Sequence, residues 1–123
     1  AIKWLPPTAE EVEVDGQPAA VIKLWEEELF VVRVPAPGYD TPLARAQAIV
    51  QRLTELLAAG LSNYEVQVAP TSEGVSVIGR GQVILTVLPE DAQAAQTDAA
   101  TLAARVRDAL SRAFVRESLD RLY

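Results

Sequence analysis

The sequence predicts an α+β fold: a largely antiparallel sheet with two long amphipathic helices packed on one face, in the order β-β-β-α-β-β-β-α. Three observations predict it. Short runs of Val, Ile, Leu and aromatic residues alternate with Gly, Pro and Asp turns, the pattern of strands. Two longer stretches, 43–57 and 102–114, place apolar residues at helical spacing. Each of those stretches follows a group of three strand-like runs, so the chain reads as strands, helix, strands, helix.

Residues 1–10 read as an extended lead-in, because Pro6-Pro7 disfavours helix. Residues 11–123 read as a single domain. Glu11-Val12-Glu13-Val14 alternates polar and apolar, the period of a half-buried strand, and Asp15-Gly16 supplies a turn. Residues 20–25 and 29–34 are β-rich and form a hairpin whose tip is Glu26-Glu27-Glu28. Three consecutive carboxylates on a turn point in different directions, so the tip reads as solvated rather than as a cation site.

A helix is predicted over residues 41–59. Asp40 or Thr41 caps it, Pro42 suits its first position, and Gly60 ends it. Leu43, Ala46, Val50, Leu53 and Leu57 form the apolar stripe, while Arg45, Gln47, Gln51, Arg52 and Glu55 are assigned to other faces. Strands follow at 64–69, 75–78 and 82–88. The last is almost continuously apolar and is expected to be a central strand covered on both sides. Pro89-Glu90-Asp91 opens a short helical turn. Thr97 or Asp98 then caps the second long helix, with Leu102, Val106, Leu110, Ala113 and Phe114 as its stripe and Leu119 and Leu122 as an extension.

Half of the 123 residues are apolar, enough for a real core at this length. There is no Cys, which excludes disulfides and thiol catalysis, and no His, which removes the commonest general base and transition-metal ligand. The chain begins at Ala1 and contains no Met, so a segment of a longer protein is expected. The formal net charge is −6, so nucleic acid is not an expected partner. The arginines among residues 100–123 read as a solvated helix face.

Candidate sites resolve into structural roles. Gly79-Arg80-Gly81 lacks the spacing of a phosphate loop and reads as a tight hairpin. Glu90, Asp91 and Asp98 fall near helix starts, where carboxylates stabilise the N-terminal dipole. Trp25, Phe30 and Phe114 belong to the core, while Trp4, Tyr39 and Tyr123 are expected to be partly exposed. No catalytic, cofactor-binding or metal-binding residue is assigned, and no enzyme is expected.

Arg45-Ala46-Gln47-Ala48-Ile49-Val50-Gln51-Arg52-Leu53 resembles an "RAxxIxxRL" segment, and residues 82–92 resemble an "xxILTVTxxDA" segment. With the later Leu-Ala-rich helix, these resemble the soluble domain ahead of the membrane helices in some bacterial, notably cyanobacterial, mechanosensitive ion channels of the small-conductance (MscS) type. The resemblance covers roughly residues 12–115. That family opens with "xVxVDGxxLFxV"; residues 12–16 match its first half, but Leu29-Phe30-Val31-Val32 arrives only after an extra strand. The resemblance implies a non-catalytic, extracytoplasmic (periplasmic) sensory or interaction domain. Its partner would be the membrane-spanning part of the same polypeptide. A free-standing ligand- or protein-binding module, or a helix-mediated homo-oligomerisation domain, is the alternative.

Overall fold

The computed structural model describes residues 5–122, and the side chains of 121 and 122 lie outside the description. Three strands come first: β1 (Thr8–Val14), β2 (Gln17–Leu24) and β3 (Glu27–Val32). Helix α1 (Pro42–Ala58) follows, then β4 (Val66–Pro70), β5 (Val75–Gly79) and β6 (Gln82–Val87). The short helix α2 (Pro89–Ala94) and the long helix α3 (Ala99–Leu122) complete the order. The α+β class and the predicted element order hold. The strands, however, form two three-stranded antiparallel meanders, β1-β2-β3 and β4-β5-β6, rather than one sheet. Helix α1 packs on β1, β2, β3 and β6, and α3 packs on β3, β4, β5 and β6, so each helix bridges both sheets.

Local chemistry sets the boundaries. Thr41 is the N-cap of α1, its hydroxyl accepting from the Ala44 N–H at 3.1 Å, and Pro42 follows it. At the other end the Leu61 N–H reaches the Leu56 carbonyl at 3.0 Å and the Gly60 N–H reaches Leu57 at 3.1 Å. This paired closure needs a left-handed residue, and Gly60 supplies it at φ +94°. Helix α2 ends in the same closure around Gln96, from Thr97 to Ala92 at 2.9 Å. Asp98 caps α3, accepting from the Thr101 N–H at 2.7 Å and from its hydroxyl at 2.9 Å.

The two meanders share a register irregularity. In the first, Phe30 opposes Ile22 and Glu28 opposes Lys23, which leaves Leu29 as an extra residue. In the second, Leu85 opposes Val77 and Val83 opposes Ile78, which leaves Ile84 extra. Each bulged residue is the third after its hairpin turn. A bulge breaks strict alternation, so two successive side chains, Leu29 with Phe30 and Ile84 with Leu85, are both buried.

Several boundaries and placements differ from the sequence reading. The first strand begins at Thr8, inside the predicted lead-in, because it pairs along β2 from Thr8↔Lys23 to Val14↔Gln17. Tyr64 lies in a 3-10 turn, Asn63–Glu65, with 86% exposure, and the strand starts only at Val66. The apolar strand β6 is an edge strand, not a central one. Full coverage belongs instead to β2, where Ala19, Ala20, Val21 and Ile22 are all buried although successive side chains point to opposite faces. In α3, Val106, Leu110 and Ala113 are buried as expected, but Leu119 is 50% exposed and the buried face continues through Glu117. Trp4 and Tyr123 lie outside the described residues, as does the side chain of Leu122.

Candidate functional site: the β3–α3 groove and the buried joint behind it

Behind the surface, one charged pair ties the two halves together. Arg45 of α1 and Asp91 of α2 are joined by two hydrogen bonds of 2.6 Å, Nη1 to Oδ1 and Nη2 to Oδ2. Their side chains are 5% and 2% exposed. Arg45 also donates to the carbonyls of Val34 at 3.2 Å and Thr86 at 3.0 Å, and its guanidinium lies over the Phe30 ring at 5.9 Å. Asp91 further accepts from the Leu88 N–H at 2.8 Å, which caps α2. Both charges are thus neutralised and hydrogen-bonded, the condition under which burial is tolerated.

This corrects the assignment of Arg45 to a face other than the packed one. Arg45, Ile49, Arg52 and Leu56 stand at i, i+4, i+7 and i+11, so they share one stripe of α1. Arg52 donates through Nε to the Ile84 carbonyl at 3.0 Å. The two arginines therefore close the outer edge of β6 at Ile84 and Thr86, where a neighbouring strand would otherwise sit. That spacing is legible in the sequence, but an arginine in it does not by itself signal burial. The reading of Asp91 as a helix-start carboxylate was incomplete rather than wrong, since the same group also binds Arg45.

At the acidic hairpin tip Glu26 and Glu28 are exposed, as the solvated reading expects, but Glu27 is drawn in against α3. The turn itself is Trp25-Glu26, with both residues at positive φ, +48° and +79°, and Glu27 begins β3. Glu27, whose side chain is 14% exposed, meets Arg112 at 3.4 Å and Arg116 at 3.7 Å, and Glu26 meets Arg116 at 3.8 Å. Trp25 is buried, with its indole N–H donating to the Leu5 carbonyl at 2.9 Å and its ring edge-on to Phe114 at 5.8 Å. The acidic tip and part of the basic helix face are each other's partners.

Gly79-Arg80-Gly81 is a tight hairpin turn, with Arg80 and Gly81 at φ +53° and +75°. Arg80 donates to the Ala59 carbonyl at 3.1 Å, at the negative end of the α1 dipole. Glu90 is exposed. Asp98 caps α3; the backbone N–H and then the hydroxyl of Thr101 stabilise its carboxylate and hold its pKa below the ordinary aspartate value. Among the described residues no cluster of three or more carboxylates is placed to hold a metal ion. No helix among them is long and apolar enough to cross a membrane.

One surface feature with binding chemistry is a groove of about 370 Å³ between β3 and α3. Leu29, Phe30 and Leu102 contribute its apolar lining, and Arg33, Arg105 and Arg112 bring cationic heads to it. Glu28 and Asp108 add negative charge. Arg33 gives one hydrogen bond to the Ala94 carbonyl at 3.3 Å, and Arg112 is engaged with Glu27. The guanidinium of Arg105 and the carboxylate of Glu28 have no partner among the described residues. Sequence reasoning missed this groove. Its local signals were an arginine closing an apolar strand and two arginines seven residues apart on one helix face.

A family model described as a domain of unknown function (DUF8459) matches residues 20–117, and the chain belongs to that family. No curated protein and no solved structure matches it.

Proposed function

We propose that this domain is a non-catalytic interaction module, of the kind that regulates a membrane channel of the small-conductance mechanosensitive type from outside the cytoplasm. The observation that supports it is the division of charged groups. Arg45 and Asp91 are buried and neutralise one another, whereas Arg105 and Glu28, without a partner among the described residues, stand at a groove with an apolar lining. Such a groove recognises a surface; a reaction centre needs a titratable group aimed at substrate.

The resemblance to the channel family rests on two segments that meet in space. Arg45 and Arg52 of the first bind Asp91, Thr86 and Ile84 of the second. The similarity therefore lies in a fold-defining joint, which supports common architecture more directly than a shared ligand.

The coding sequence beyond Tyr123 tests the channel reading. Apolar segments of about 20 residues are expected there. In the full-length protein, Arg105→Glu is expected to shift the tension threshold while leaving unit conductance unchanged, because the groove lies outside the pore. A stop codon directly after Tyr123 would remove the channel reading.

A further inference from the structure

Four strands stand at the edges of the two sheets, and three are protected. β6 is closed by Arg45 and Arg52. β1 carries Glu10, Glu11 and Glu13, charges that oppose pairing with another strand. β4 is five residues long and ends in Pro70. β3 is different. Its centre, Leu29-Phe30-Val31-Val32, is wholly apolar, and no hydrogen bond from another element reaches its outer edge among the described residues. The groove runs beside that edge.

The charges that flank this apolar centre are self-complementary. Because Leu29 is the bulged residue, antiparallel pairing of residues 28–33 with an identical segment sets Glu28 against Arg33 and Phe30 against Val32, with Val31 facing its own copy on the two-fold axis. The two-fold axis then repeats each pair. Glu28 is exposed and lines the groove, and Arg33 lines it too with one guanidinium hydrogen directed to Ala94. Strand addition supplies main-chain hydrogen bonds, and opposite charges across the ladder select the register.

We propose that the edge of β3 joins two copies of this chain, pairing antiparallel with Glu28 of each opposite Arg33 of the other. The two β1-β2-β3 meanders thereby become one continuous six-stranded sheet. The inference deepens the interaction-module reading by naming a second copy as the partner. It differs from a helix-mediated assembly, because Val106, Leu110 and Ala113 are already buried in the chain's own core. A contact this small belongs to the weak, reversible class.

Sedimentation equilibrium of the 123-residue chain over a concentration series tests it. Wild type is expected to show a reversible monomer–dimer equilibrium. Glu28→Arg and Arg33→Glu each place like charges opposite one another and are expected to weaken the dimer roughly tenfold. The double variant E28R/R33E is expected to restore it. Circular dichroism checks that each variant is folded. The chain has no native cysteine, so a nitroxide on Val31→Cys gives a measurement that does not depend on the charge swaps. Label–label dipolar broadening at Val31→Cys, and none at Glu13→Cys on β1, is the expected result. A wild-type chain that stays monomeric, a double variant no better than the singles, or broadening at Glu13→Cys instead would each overturn the proposal. The channel reading fails separately, on the sequence downstream of Tyr123.

Discussion

Arg45 and Asp91, 46 positions apart in the chain, meet through two hydrogen bonds of 2.6 Å with both side chains almost wholly buried. The pair belongs to different halves of the fold, and Arg45 also reaches Val34, two residues beyond β3, and the edge of the second sheet at Thr86. One guanidinium thus fixes how the two β-β-β-α units dock. Hydrophobic burial drives the halves together without specifying orientation, whereas a bidentate pair has a single good geometry.

Removing one partner leaves a buried charge uncompensated. Asp91→Ala and Arg45→Met are each expected to lower unfolding stability by about 3–5 kcal/mol. In a double-mutant cycle followed by urea denaturation, the double variant is expected to lose at least about 1 kcal/mol less than the two singles combined. Strict additivity would show that the two groups act independently.

The Trp25-Glu26 turn holds two residues in the left-handed region without glycine, asparagine or aspartate. Each such residue costs about 1–2 kcal/mol, and the strain persists because Trp25 is gripped by Phe114 and Leu5. Glu26→Gly is therefore expected to stabilise the chain by about 0.5–1 kcal/mol, since its ion pair with Arg116 is exposed and weak. Chemical denaturation measures this; a lower midpoint would mean that the pair outweighs the backbone strain.

Gly74 has no room for a side chain, because a Cβ there would collide with the carbonyl oxygen of Val87. The obstacle is backbone at the end of β6 and cannot rotate away. Gly74→Ala is expected to cost about 1–3 kcal/mol, read as a drop in Tm. Gly16→Ala meets nothing within 4 Å and carries only the penalty of φ +77°, about 1 kcal/mol. Equal losses at the two sites would contradict the packing argument.

The Asp98 cap gives a pH signature. Its carboxyl is held below its ordinary value in the folded state, so its contribution is present above the unfolded pKa and is lost as pH falls through the folded one. Asp98→Asn keeps an acceptor for the Thr101 N–H but does not titrate. The Tm advantage of wild type over Asp98→Asn is expected at neutral pH and to shrink as pH falls below about 4. A constant difference across that range would exclude the ionised carboxylate as its source.

Much of the architecture was written in local sequence. The cap and closure of α1 depend on Thr41, Pro42 and Gly60, and the hairpin turns at Asp15-Gly16 and Arg80-Gly81 each carry a glycine that accepts positive φ. Helix stripes and strand runs are likewise short-range patterns, so the α+β class and the order of elements follow from sequence. What no local pattern carries is which elements meet. The division into two sheets, the closing of the β6 edge by Arg45 and Arg52, and the capture of Glu27 by Arg112 and Arg116 each join residues at least 32 positions apart. An arginine and a glutamate read as solvent-facing until the fold sets them side by side, because water and an opposite charge satisfy the same groups. Tertiary structure chose between those two partners, and by the same choice it left the edge of β3 open.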